Sequence, residues 1–238
     1  MKNKNAALAD KIPFWHFDNG LMVYSDGSLG GGFKLCGVDI SCSPVDEINQ
    51  FARQIENLLI TAEEGLRLQL FYRVTPNVRD TLKEHENITS EAPEVYRPVS
   101  DARLSFIKKN ESEKSYFVPE YYFFVRSKPF SYKKQKLWEA QKQFETVTFS
   151  EYETHREKFE RALKQVESSL AQARLSPKKL SEQEFFNLCF DYLNLSRVEN
   201  FGRPELRDDK DFLSQSVVSQ LTLSDVEVYP DHLRVGDY

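Results

Sequence analysis

Leu21-Met-Val-Tyr-Ser-Asp-Gly-Ser-Leu-Gly-Gly-Gly-Phe-Lys-Leu-Cys-Gly-Val-Asp39 is the stretch whose reading decides the fold. Leu21 to Ser25 and Gly32 to Asp39 read as two strands, and Asp26-Gly27 between them is a hairpin turn, because glycine accepts positive φ without a Cβ clash. The Gly30-Gly31-Gly32 run predicts a bulge or a close approach of backbone. A sheet therefore starts here.

The following residues change period. Ser43-Pro44 opens a helix, with Ser43 as the expected cap, Pro44 in the first position and Asp46 and Glu47 at the positive end of the dipole. Val45, Ile48, Phe51, Ile55, Leu58 and Ala62 recur at helical spacing until Gly65. Leu66, Leu68, Leu70 and Tyr72 then alternate with Arg67, Gln69 and Arg73, the pattern of a strand with one polar face.

Residues 74–93, which hold Pro76 and Pro93, predict a mobile, partly helical connection, and Val99 to Lys109 a short helix. Tyr116 to Arg126 is aromatic and β-branched, a fourth strand of the sheet. Ser150-x-x-Glu153 and Ser181-x-x-Glu184 are two capping boxes, each followed by an apolar stripe at helical spacing. Pro177 lies between them, so residues 150–197 read as a helical hairpin. Val226 to Tyr229 and His232 to Val235 form a last hairpin around Pro230-Asp231. The fold class that follows is α+β. It is one domain over residues 1–238, with a mixed or antiparallel sheet of about five or six strands packed with one long helix and a helical hairpin. Residues 1–12 are expected to be flexible.

Composition narrows the function. A net charge of −5 disfavours a dedicated nucleic-acid binder, and no direct contact with nucleic acid is expected. Cys36, Cys42 and Cys189 are an odd set without CxxC spacing, as expected of reduced thiols inside a cell. No stretch approaches the roughly 18 apolar residues that a membrane span needs. His16, His85, His155 and His232 stand at no metal-ligand spacing, and His155 is expected to be solvated on a charged helix. No nucleophile-elbow pattern occurs. No catalytic, cofactor-binding or metal residue is therefore assigned, and the chain is not expected to be an enzyme.

Two features invite a ligand. The Gly27–Gly32 loop resembles a phosphate loop in composition, and the alternative function is a small nucleotide-dependent enzyme built on it. However, Lys34 follows Phe33, no Ser or Thr follows the lysine, and a strand rather than a helix comes next, so the phosphate loop's convergent donors are missing. The second feature is basic and amphipathic: Lys133, Lys134, Lys136 and Lys142 surround Trp138, a pattern of an ordinary surface helix whose Trp packs on the domain or of contact with an anionic membrane surface or a partner.

The opening Phe14-Trp-His-Phe-Asp-Asn-Gly-Leu-Met-Val-Tyr-Ser-Asp-Gly-Ser-Leu-Gly-Gly-Gly-Phe-Lys-Leu-Cys-Gly-Val-Asp39, with the Pro-started helix after it, resembles the N-terminal region of conjugative-transfer ATPases of the TraC type, within the type IV secretion ATPase family. Leu213-Ser-Gln-Ser-Val-Val-Ser-Gln-Leu-Thr-Leu-Ser-Asp-Val226 and Leu233-Arg-Val-Gly-Asp-Tyr238 resemble a stretch further into the same region. The likeness runs the length of the chain on soft motifs. It implies a domain in the bacterial cytoplasm, peripheral to the inner membrane, that docks the motor on inner-membrane and other subunits of a secretion channel, with self-association. ATP and magnesium would belong to a P-loop domain further along the family's chains, of which no motif stands here. The abrupt end just after a strand, at Gly236-Asp-Tyr238, fits a piece of a longer protein.

Overall fold

The computed structural model describes residues 12–75, 79–90, 93–112, 117–129, 148–194, 202–207, 217–223, 226–229 and 231–235. Its centre is an antiparallel sheet formed by β1 (Phe14–Asp18), β2 (Leu21–Tyr24), β3 (Leu29–Leu35), β4 (Arg67–Thr75) and β5 (Val118–Arg126). The strands lie in the order β1-β2-β3-β5-β4, and the short β6 (Lys178–Lys179) also pairs with β3. The helices are α1 (Val45–Thr61), α2 (Arg79–Ser90), α3 (Arg97–Ser112), α4 (Phe149–Gln172), α5 (Glu182–Leu193) and α6 (Val217–Leu221). A separate hairpin joins β7 (Val226–Val228) to β8 (Leu233–Val235), closed by Tyr229 N–H donating to the His232 carbonyl. The architecture is α+β, as the sequence predicts.

β1 is a strand the alternation reading passed over. Asn19 and Gly20, both at positive φ (50° and 76°), make the tight turn that folds it back on β2. Phe14 and Phe17 are three residues apart and would face opposite ways in a regular strand. A register shift between Phe14 and His16 inserts one residue, so both rings reach the same side. The irregularity therefore lies in β1, and the glycine run of β3 pairs without a bulge.

The sheet is covered on both faces. Leu21, Leu29, Phe33, Phe123 and Val125 pack beneath Phe159, Leu163, Val166 and Leu170 of α4 and Leu58 of α1. On the opposite face Phe14, Phe17 and Met22 meet Phe186 and Phe190 of α5 and Val217, Val218 and Leu221 of α6. The expected helical hairpin is thus corrected: α4 and α5 follow one another but lie on opposite sides of the sheet. The crossing is made by β6, which pairs with Phe33 and Lys34 while Leu180 N–H donates to the Gly32 carbonyl.

Three local expectations also move. Pro44, not Ser43, occupies the position before α1, and no side chain caps that end. The first capping box is Thr148 with Glu151, two residues ahead of the Ser150–Glu153 pair, whereas Ser181 with Glu184 forms as predicted. The end of α4 closes before Pro177 is reached, with Leu175 N–H donating to the Leu170 carbonyl and Arg174 N–H to that of Ala171. That two-bond closure needs a left-handed residue, and Arg174 supplies it at φ 60° where glycine is usual.

Candidate functional site

The glycine run is the first place the sequence points to, and the structure places it inside the sheet. Asp26-Gly27 is the predicted turn: Gly27 N–H donates to the Tyr24 carbonyl, and Asp26 accepts from the Ser28 N–H and hydroxyl. Gly30, Gly31 and Gly32 are strand residues, opposite Arg126, Val125 and Phe124 of β5. A Cβ on Gly31 would stand 2.7 Å from Leu163 of α4, and one on Gly32 would stand 2.6 Å from the Phe124 ring. The missing side chains let a helix pack down on one face and an aromatic layer on the other. A phosphate loop needs a hollow lined by free N–H groups; here the neighbouring strands and side chains fill that space.

Three polar clusters surround this core. In the first, Arg126 crosses 3.8 Å above the Tyr24 ring and donates to Asp26 and to the Ser28 hydroxyl, pinning the turn to β5. In the second, Glu120 accepts from Lys34 at 2.9 Å and from Arg73 at 2.6 Å, and Asp191 of α5 accepts from both Arg73 and Arg203. Burial pushes the Glu120 carboxyl up, but the two cationic donors outweigh it and hold the group below its ordinary value. The same burial, beside the Glu120 charge, pushes the Tyr122 hydroxyl up to about 12. These side chains join β3, β4, β5, α5 and residues 202–207, and their carboxylates are occupied by fixed cations. The arrangement holds elements together.

The third cluster has the look of chemistry. Ser127 Oγ lies 3.1 Å from His155 Nε2. Yet Ser127 is only 5% exposed, its oxygen accepts the Leu29 N–H, and Ser127 N–H donates to the Leu29 carbonyl. It is a strand-edge tie. His155 is half-buried rather than solvated as the sequence reading expects, and burial, with Lys158 nearby, lowers its pKa. The open groove of about 240 Å³ between α1 and residues 38–43 is lined by Asp39, Glu47, Gln50 and Arg174 among others, and by neither Ser127 nor His155. Among the described residues no group of three His, Cys, Asp or Glu side chains is placed to hold a metal, and no helix is long and apolar enough to cross a membrane.

The predicted contact residues Lys133, Lys134, Lys136, Trp138 and Lys142 lie outside the described residues. A different surface is on view. Between β4 and β5, where a hairpin would need only a short turn, the chain inserts α2, a 3-10 turn (Glu94–Tyr96) and α3. α3 has two apolar sides. Leu104 and Ile107 are half-buried, and Lys108 reaches Glu86 of α2 at 2.8 Å. Val95, Val99 and Phe106 point elsewhere and are 83%, 72% and 60% exposed. Val99, Ala102 and Phe106 are spaced three and four residues apart and so share one side of α3, with Val95 in the 3-10 turn just before it. That spacing is legible in the sequence, but reading Val99 to Lys109 as merely a short helix missed that a second stripe exists. Arg103 and Lys109 flank the uncovered stripe.

No protein-family model matches the chain, and no curated protein matches it.

Proposed function

We propose that this chain is a non-catalytic docking and assembly domain of a conjugative type IV secretion ATPase, attaching the motor to the inner-membrane part of the channel during DNA transfer. The likeness of Phe14 to Asp39 to the TraC-type N-terminal region supports the family. The observation that carries the docking role is the uncovered Val95–Val99–Phe106 stripe, on a helical pair inserted where the sheet needs only a turn. An exposed apolar stripe beside Arg103 fits an apolar helix face of the channel with a carboxylate at its border. In this reading the nucleotide chemistry belongs elsewhere in the motor, because the glycine run is packed on both faces.

The test is retention of the chain by the detergent-solubilised inner-membrane subunits of its cognate channel. Wild type should be retained, and Val99→Asp with Phe106→Asp should reduce retention about tenfold or more, since truncating central apolar anchors costs of the order of 2 kcal/mol. Both positions are exposed, so the variant keeps its fold. Equal retention of the two proteins, or clear ATP turnover by the chain alone, contradicts the proposal.

A further inference from the structure

The outer edge of β4 carries an inference separate from the secretion reading. β4 runs for nine residues, pairs with β5 along its whole length without a bulge, and among the described residues has no strand on its other side. Natural edge strands are blunted by charged side chains, lysine above all, by proline, by bulges or by being short. β4, Arg67-Leu-Gln-Leu-Phe-Tyr-Arg-Val-Thr75, has no proline, lysine or bulge, and of its two charges Arg73 is already paired with Glu120 and Asp191. On one face Leu70, Tyr72 and Val74 are 63%, 55% and 48% exposed. Its row of backbone donors and acceptors fits an extended strand, and its side chains make it self-complementary.

We propose that a second copy of this chain pairs antiparallel along β4, with the two-fold axis at Phe71, joining the two sheets into one. Residues facing each other across an antiparallel pair share a face of the sheet, so the axis must pass through a residue. Centred on Phe71, all nine residues pair: Leu70 meets Tyr72 of the mate, Leu68 meets Val74, Arg73 meets Gln69 and Arg67 meets Thr75. The exposed apolar row becomes continuous and each arginine faces a neutral residue. Centred on Leu70 instead, Arg67 would face Arg73, a like-charge pair directly opposite that destabilises the ladder.

Sedimentation equilibrium of the whole chain tests this, with circular dichroism confirming the fold of each variant. Wild type should dimerise at about 10–100 μM, an interface energy of roughly 5–7 kcal/mol. Leu70→Lys with Tyr72→Lys sets lysines opposite each other twice and should weaken the dimer at least tenfold. Leu70→Lys with Tyr72→Glu sets Lys opposite Glu twice and should restore it to within a fewfold of wild type. A monomeric wild type, a dimer indifferent to the two lysines, or a Lys–Glu variant as monomeric as the Lys–Lys variant each overturns the proposal.

Discussion

The two outer strands of the sheet are similarly rich in apolar residues, yet they end differently. β1 places Phe14 and Phe17 under α5 and α6, at 7% and 4% exposure. β4 leaves Leu70 and Tyr72 more than half exposed and continues into a helical pair that carries its own bare stripe. The contrast teaches that alternation in a strand fixes which residues share a face, while what covers that face is decided by elements far away in sequence. At the β1 end the cover comes from α5 and α6. Over the Leu70–Tyr72 face of β4 the described residues supply little cover, and the proposed docking helix follows that strand.

The largest effect is expected at the closed end. Phe186 is fully buried between the strands and α6, so Phe186→Ala should destabilise the fold by about 3–5 kcal/mol, whereas Leu70→Ala on β4 should stay within about 0.5 kcal/mol. Chemical denaturation of both variants reads the difference, and similar losses would mean the two ends are not distinct. Next is the charge bridge between β4 and α5. Asp191→Ala removes the acceptor that Arg73 and Arg203 share, while Arg73 keeps Glu120, and should cost about 2 kcal/mol. Gly32→Ala pushes a methyl against the Phe124 ring and should cost about 1–3 kcal/mol, measured the same way, with no change expected from any nucleotide.

Smaller effects sharpen the picture. Thr148→Ala should lower stability by about 1 kcal/mol while Ser150→Ala does little, because the first carries the cap of α4 and the second lies inside the helix. His155 gives a pH signature. Its pKa is lowered on folding, so above its ordinary value of 6.5 both states are neutral and stability is full. As pH falls through 6.5 the unfolded chain takes up the proton first, and stability drops until the lower folded value is passed. His155→Asn should flatten that part of the pH profile in thermal melts.

Much of this was legible in the sequence. The Asp26-Gly27 turn, the α1 periodicity, the β4 alternation and the Ser181–Glu184 cap are local signals and appear where local chemistry puts them. What was not legible depends on distant partners. Asn19-Gly20 is a strong hairpin signal, but β1 is recognisable as a strand only once a bulge lets Phe14 and Phe17 face α5 together. Thr148 and Ser150 both stand three residues before a glutamate, so sequence alone leaves the first turn of α4 unfixed. Two consecutive capped helices look like a hairpin until the pairing of Lys178 and Lys179 with β3 carries the chain across the sheet. The glycine run looked like chemistry because glycine also serves close packing, and only Leu163 and Phe124 distinguish the two.

In the proposed arrangement the Phe14–Phe17 face of β1 is closed and the helical pair beyond β4 is the docking end. Hydrogen–deuterium exchange of the chain, alone and bound to the inner-membrane subunits of its cognate channel, tests it most directly. New protection is expected across residues 94–112, with unchanged exchange across residues 14–24. Protection confined to residues 14–24, or none in either region, would contradict it.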